Sequence, residues 1–284
     1  MKKKDSVKTI CLISEASFDP FQSEIVEGVM QAIREKNALL LRCAVESEQF
    51  SACYRLQFEE IFDLLERHNP DGVLFLGWMK SVVRDPDGFL AALHRGARCP
   101  VVSVGSITAG VPSFCMDGAR YMHELLSHLV DIHGYRRIAF IEPYTPDDRC
   151  PTYERFMRER GLFDPQLVIR RDELMVGEDF YGHKRAARVC QVLFDERTTT
   201  VDAVMSLYTY ESAFLLRECR ERGIRVPEDL AVTGWEDGDL SKYSDPPITS
   251  VYFPFYEIGL AASQGLFRLI EGGALPPSHR YRPV

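Results

Sequence analysis

The stretch from Asp202 to Gly273 constrains the fold of this chain more than any other. It reads as a buried strand beginning at Ala203, a helix that ends before Gly223, a second buried strand around Val232, and then a polar loop. A strand, a crossover helix and a second strand in this order form a parallel βαβ unit. In open parallel sheets ligands bind outside the carboxyl ends of the strands, so this polar loop is a candidate ligand-binding segment.

The rest of the chain repeats the same alternation. Strand and helix patterns follow one another from Val7 to Val130 and again from Arg137 to Arg222. Such alternation predicts an α/β fold with doubly wound parallel sheets. Because the series occurs twice, and because 284 residues are enough for two domains, we expect two similar lobes with a cleft between them.

Composition excludes several functional classes. The net charge is −8 and no long basic block follows the first residues, so the chain is a poor nucleic-acid binder by itself, since phosphate neutralisation supplies most of that affinity. No apolar run approaches the roughly 18 residues that span a bilayer, and none has the form of a signal peptide. We therefore expect a cytoplasmic protein without membrane contact. The eight cysteines contain no CxxC pair and are expected to be reduced thiols.

Motifs for catalysis, cofactors and metals give no positive signal. The sequence contains no GxGxxG, GxxxxGK[ST] or GxSxG motif, so it supports no catalytic residue, no cofactor and no enzymatic activity. His123 and His128 resemble a zinc-binding HExxH pair but are five residues apart. On an α-helix that spacing leaves the two side chains about 140° apart. We therefore predict no metal site at this pair.

Three motifs carry a resemblance to a known family. They are the run from Arg222 to Leu230 (RGIRVPEDL), the turn from Gly234 to Asp237 (GWED) and the run from Leu125 to Phe140 (LLSHLVDIHGYRRIAF). They resemble the effector domain of the lactose/galactose-repressor (LacI/GalR-type) family, and the resemblance extends over almost the whole chain. It implies two periplasmic binding protein-like type I lobes, joined by a three-segment hinge, that close on a small-molecule ligand.

The resemblance also implies boundaries and partners. Residues 1–134 and 252–273 would form the N-terminal lobe and residues 135–251 and 274–284 the C-terminal lobe, with the third crossing at Gly272-Gly273. Regulators of the family carry a helix-turn-helix headpiece before the first strand, whereas the first strand here is predicted to begin at Val7. The resemblance also implies a homodimer. We expect its output domain (DNA-binding, diguanylate cyclase or kinase) outside this chain, with the region beyond Val284 as one place for it.

Three polar residues are candidate ligand anchors, because the resemblance places them where family members bind sugars. Asp117 begins a helix, and its alternative role is that of an N-cap. Arg149 falls in a loop where the family has a binding arginine. A guanidinium group suits paired hydroxyls or a carboxylate, and the alternative is an ordinary surface arginine. Glu236 replaces the first aspartate of the family's GFDD turn.

Five aromatic residues are candidate walls of the same site, namely Tyr208, Phe253, Phe18, Phe21 and Trp78. Tyr208 stands where the family has an asparagine, and Phe253 where many members have glutamine. The resemblance therefore implies a cleft that is more aromatic and offers fewer hydrogen bonds than a monosaccharide site. A monosaccharide needs many polar partners, because each unpaired buried hydroxyl costs on the order of 1–3 kcal/mol. We expect the effector to be a sugar-like molecule or one that contains an aromatic or apolar part. The alternative is a cleft that no longer binds a ligand. The alternative role of the loop aromatics is ordinary packing.

Together these features favour the ligand-sensing domain of a bacterial signalling or transcription-regulatory protein. Three alternatives stay open at this stage. They are a transcription regulator whose DNA-binding domain lies outside this chain, a periplasmic solute-binding protein that requires an export signal, and an enzyme, because a doubly wound fold does not fix function.

Overall fold

The computed structural model describes residues 7–16, 20–46, 54–81, 86–143, 148–174, 183–197 and 199–281. The chain divides into two compact units, the first formed by residues 1–117 and 254–284 and the second by residues 118–253. No helix within the described ranges is long and apolar enough to cross a membrane.

Each unit contains one sheet, and all strand pairings in both sheets are parallel. The strands are β1 (Thr9–Glu15), β2 (Leu39–Val45), β3 (Gly72–Leu76), β4 (Val101–Gly105), β5 (Ser113–Met116), β6 (Ile138–Ile141), β7 (Val168–Ile169), β8 (Ala203–Met205), β9 (Ala231–Glu236), β10 (Thr249–Val251) and β11 (Ser278–Tyr281). The first unit has the order β11-β5-β4-β3-β1-β2 and the second the order β10-β9-β8-β6-β7. The predicted α/β fold with parallel sheets is confirmed.

Helices connect the strands of both sheets. They are α1 (Pro20–Glu35), α2 (Tyr54–His68), α3 (Pro86–Gly96), α4 (Gly118–Ser127), α5 (Arg149–Glu159), α6 (His183–Cys190), α7 (Thr209–Glu221), α8 (Asp239–Tyr243) and α9 (Phe255–Ile270). The inner strands are continuous apolar runs, and every residue of β3 and β6 is buried. Such runs are typical of parallel sheets, in which helices cover both faces.

The division between the units differs from the predicted one. The chain changes unit after Asp117 and again after Phe253, rather than near residues 134 and 251. The predicted third crossing at Gly272-Gly273 is not observed, because β11 pairs with β5 and so belongs to the first sheet. Residues 274–284 were therefore assigned to the wrong lobe. The helix α4 follows β5 in the sequence but packs against α5 in the second unit.

Two predicted helices do not stay α-helical to their ends. After α4 the chain forms a π-helical turn over His128–Ile132, and after α6 it forms another over Gln191–Glu196. A π turn closes with hydrogen bonds from residue i+5 to residue i, and neither turn has a signature in the residue pattern.

The tightest contact in the first unit is the crossing of α1 and α9, where glycines let two backbones meet. A Cβ atom at Gly28 would lie 2.0 Å from the carbonyl oxygen of Tyr256, and one at Gly259 would lie 2.2 Å from the carbonyl oxygen of Ile25. Because real Cβ atoms do not approach oxygen so closely, only glycine permits this packing. No residue pattern in the sequence marks this constraint.

We predict that Gly259→Ala destabilises the protein. Overpacking a close contact costs about 1–3 kcal/mol, which exceeds the gain of at most about 1 kcal/mol from replacing a helical glycine by alanine. Urea denaturation should show a lower midpoint for this variant. Gln264→Ala, at an exposed position of the same helix, is the control and should change the free energy of unfolding by less than about 0.5 kcal/mol. A Gly259→Ala protein as stable as the wild type would contradict the packing argument.

Candidate functional site

The candidate site of the second unit lies at the carboxyl edge of its sheet. Because β8 and β9 run parallel and pair with each other, the residues that follow them meet at one edge. Tyr208 follows β8 and Glu236 is the last residue of β9. Arg149 begins α5, the helix that follows β6. The fold thus brings together three of the residues that the sequence analysis singled out.

Glu236 is held by the first turn of α7. Its carboxylate oxygen Oε2 accepts a hydrogen bond from the main-chain N–H of Thr209 at 3.2 Å and lies 3.1 Å from the Thr209 hydroxyl oxygen. The same hydroxyl accepts from the main-chain N–H of Glu236 at 3.2 Å. A carboxylate at a helix N-terminus satisfies an otherwise unpaired N–H and interacts favourably with the helix dipole. Glu236 therefore couples the end of β9 to the start of α7.

Burial raises the pKa of the Glu236 carboxyl above its ordinary value. The hydrogen bonds from Thr209 and the positive charge of Arg149 oppose this rise but do not cancel it. A partly desolvated carboxylate of this kind gains from a further hydrogen-bond donor or a cation more than an exposed carboxylate does. This is a property expected of a ligand anchor.

Arg149 lies over an aromatic ring next to Glu236. Its guanidinium carbon is 5.2 Å from the centroid of the Trp235 ring, which is within cation–π range. Trp235 in turn meets Phe253 edge to face at 5.7 Å, and Phe253 meets Tyr121 in the same way at 5.7 Å. Phe253 is only 2% exposed. Phe253 therefore supports Trp235 from within the unit.

Tyr208 contributes its backbone to the local structure. It is the N-cap residue of α7, its N–H donates to the Ser206 hydroxyl at 3.1 Å, and its carbonyl accepts from the N–H of Ser212 at 3.1 Å. Its side chain is half-buried. The conformation of this segment is thus fixed by serines that the sequence analysis did not consider.

A buried ion pair beneath the segment was also missed. Arg185 on α6 donates to the carboxylate of Glu211 at 2.5 Å and to the carbonyl of Glu142 at 3.0 Å. Glu211 also accepts from the Ser206 hydroxyl at 2.6 Å. Both charged side chains are almost fully buried. One signal was available in the sequence, because Arg185 lies four residues before Val189 and so on the apolar face of its helix.

The carboxyl edge of the first sheet carries the other candidate residues. Asp117 directly follows β5, and its carboxylate oxygen Oδ1 lies 3.5 Å from Nη1 of Arg280 on the neighbouring strand β11. Phe21 contacts Trp78 edge to face at 5.6 Å and Phe255 at 5.4 Å. Phe18 lies outside the described residues. Within the first unit, Phe21 and Trp78 therefore form one aromatic group.

Glu15 joins this aromatic group and was not predicted as a site residue. Burial raises the pKa of its carboxyl, and the nearby indole N–H of Trp78 opposes that rise without making a hydrogen bond of normal geometry. The side-chain amide of Gln22 donates to Glu15 at 3.4 Å. The sequence did contain a signal, since Glu15 ends a strand of apolar residues at the ligand-binding edge of a parallel sheet.

Comparison with known proteins defines the class. Residues 126–284 match the family model of the periplasmic binding protein-like domain. This is more than half of the chain, and the chain belongs to that family. Its relatives include the HTH-type transcriptional repressor CytR of Escherichia coli (strain K12), 26% identical over 283 residues that cover 95% of this chain and 75% of CytR. The HTH-type transcriptional regulator CelR of Thermobifida fusca is 28% identical over 266 residues, which cover 91% of this chain and 72% of CelR.

Solved structures agree with this assignment. The complex of the transcriptional regulator CelR with cellobiose has a TM-score of 0.76 at 26% identity and covers 97% of this chain and 82% of that one. The regulator CcpA of Weissella paramesenteroides with bound sucrose has a TM-score of 0.77, with 97% and 95% coverage; at 17% identity it shows the fold alone. The chain is thus a LacI/GalR-type effector domain with the type I periplasmic binding protein-like fold. Its functional class is the ligand-sensing domain of a transcription regulator.

The raised pKa of Glu236 gives a pH prediction. A carboxyl whose pKa is raised on folding binds its proton more tightly in the folded state, so stability falls as the pH rises from the ordinary pKa through the folded one. Glu236→Gln removes this titration. We compare the free energy of unfolding of the wild type with that of Glu236→Gln. The wild-type value minus the variant value should decrease as the pH rises above about 4.5. Urea denaturation at a series of pH values measures it, and a difference that is constant or increases with pH would contradict the burial argument.

Proposed function

We propose that the effector of this domain is anchored by Arg149 and Glu236 at the carboxyl edge of the second sheet. The observation that carries the proposal is the meeting of a guanidinium group, an indole ring and a partly desolvated carboxylate at the end of β9. Arg149 supplies several N–H donors and Glu236 accepts hydroxyl or N–H donors, while Trp235, which is only 2% exposed, supports the Arg149 guanidinium group. Such a set suits the polar part of a small molecule.

We further propose that the carboxyl edge of the first sheet carries effector contacts. Asp117 is the polar candidate there, and Phe21 and Trp78 are the apolar ones. The effector class includes sugar-like compounds, since relatives of the same fold have been solved with cellobiose and with sucrose. Sugars stack on aromatic faces through their C–H groups while their hydroxyls bond to charged side chains. Tyr208 and Phe253 complete the set, Phe253 by supporting Trp235.

The regulator as a whole is proposed to act in the cytoplasm and without catalysis, because the named relatives are transcription repressors. Effector binding changes the activity of such a protein only through different affinities for two conformations. The DNA-binding part of the protein is proposed to lie outside this chain. Relatives named HTH-type regulators support that view.

We predict that at least one small molecule raises the melting temperature of the protein, and that its binding requires the side chains of Arg149 and Glu236. A thermal-shift screen against cellobiose, sucrose, nucleosides, amino acids and aromatic acids would identify it. A hydrogen bond to a charged group is worth about 1.5–3 kcal/mol, so Arg149→Met and Glu236→Gln should each weaken binding by roughly 10- to 100-fold. Arg155→Met, at an exposed position of the same helix as Arg149, should leave affinity unchanged. Equal binding by all four proteins would contradict the anchor assignment.

We also propose that the domain forms a homodimer, with β2 as part of the interface. This strand is the edge of the first sheet, and it exposes Leu39 (60%) and Leu41 (37%) on one face. An edge strand with exposed apolar side chains invites pairing with another chain. We propose that a second copy of this chain covers β2. Helices of both units would contribute to the same dimer interface.

Sedimentation velocity tests the dimer. We expect the wild type to sediment as a dimer and Leu41→Lys to shift toward monomer, because a charge would be desolvated in the interface. Leu240→Lys is the control, since Leu240 on α8 is as exposed as Leu41 (37%) but belongs to the second unit, whereas β2 belongs to the first. If Leu41→Lys dimerises as strongly as the wild type, β2 is not part of the dimer interface.

A further inference from the structure

Two imidazole rings meet on the surface of the second unit, outside the candidate effector site. Nε2 of His128 and Nε2 of His133 are 3.1 Å apart. His128 begins the π-helical turn that follows α4 and His133 is the C-cap residue of that turn, where its N–H donates to the carbonyl of His128 at 3.2 Å. On an α-helix, residues five apart diverge by about 140°. The wider π turn returns the fifth residue to the side of the first, so these two rings face each other.

The separation of the two nitrogens equals that of two ligands on one metal ion. Imidazole nitrogens bind Zn²⁺ at about 2.0–2.1 Å, and two of them at an angle of roughly 90–110° at the ion are about 2.9–3.3 Å apart. The ring centroids are only 4.6 Å apart and the ring planes cross at 81°. The rings therefore meet at an angle rather than end to end, with the two Nε2 atoms within hydrogen-bonding distance of each other.

The orientation of the pair is supported by its neighbours. The ring of His133 stacks on the ring of Tyr135 with an interplanar angle of 13° and a centroid distance of 5.4 Å. His128 is half-buried, whereas His133 is exposed. The nearest carboxylate in sequence, that of Asp131, is engaged by Arg160 at 3.5 Å. The pair is thus pre-positioned and open to solvent on one side.

We propose that His128 and His133 form a two-histidine site for a divalent transition-metal ion. Imidazole ligands suit Zn²⁺, Ni²⁺ and Cu²⁺, whereas Mg²⁺ and Ca²⁺ require oxygen ligands. No third histidine, cysteine or carboxylate joins the pair among the described residues, so water molecules complete the coordination. The ion replaces the hydrogen bond between the rings and links the two ends of the π turn. The site is independent of effector binding.

Calorimetric titration of the tag-free chain with Ni²⁺ and with Zn²⁺ tests the proposal. We expect saturable binding of one ion per chain at micromolar concentration, with no response to Mg²⁺. His128→Gln and His133→Gln should each weaken binding at least tenfold, and the double variant should bind no more weakly than the weaker single variant. Non-additivity is the signature of two ligands acting as one site.

His94→Gln on α3 is the matched control and should bind both ions as the wild type does. Circular dichroism of the two π-turn variants verifies that they remain folded, and a variant that unfolds is replaced by His133→Asn. Absence of saturable binding by the wild type would overturn the proposal. So would wild-type affinity in both single variants, which would assign the ion to thiols or to other histidines.

Discussion

The parallel alignment of the strands is the constraint on which the rest of this structure depends. A parallel strand covered on both faces must be apolar along its length, and β3 and β6 obey this rule without exception. Charged side chains on the inner strands are then found only where a strand ends. Since all strands of a sheet end at the same edge, Glu15, Asp117 and Glu236 are placed at carboxyl edges by topology alone. The location of the candidate sites is a consequence of strand direction.

Within the second unit, the contact of Glu236 with Thr209 links a potential ligand anchor to a helix. The same carboxylate caps α7 and lies near Arg149. A ligand that donates to Glu236 would therefore compete with, or reinforce, the hydrogen bonds at the start of α7. Such competition gives an effector a differential interaction with two arrangements of one segment, which is the thermodynamic requirement for a switch. Beneath it, the buried pair of Arg185 and Glu211 keeps the segment after β8 in place.

Much of the fold could be predicted from the sequence. Alternating strand and helix patterns predicted the parallel sheets, because inner strands such as β3 and β6 are continuous apolar runs. The C-terminal segment that contains β11 was assigned to the wrong lobe. Ser278–Tyr281 pairs with β5, which is far away in the sequence, and no local residue pattern encodes that pairing. The π turns were missed for a related reason, since one extra residue per turn leaves an apolar stripe nearly unchanged.

The candidate site was less predictable than the fold. The resemblance supplied Arg149, Glu236 and Asp117, but it could not supply their partners, Trp235, Thr209 and Arg280, because those contacts depend on three-dimensional register. Glu15 and Arg185 had usable signals, as charged residues at positions where apolar patterns predict burial. Gly28 and Gly259 had none, because a glycine required by close helix packing has the same sequence appearance as any other.

The role of Arg149 and Glu236 as effector anchors is best tested by a crystal structure of the chain with its strongest-binding effector. We expect ligand atoms within hydrogen-bonding distance of the Arg149 guanidinium group and of the Glu236 carboxylate, with Trp235 supporting Arg149 from within the unit. A bound effector that touches neither charged side chain would contradict it.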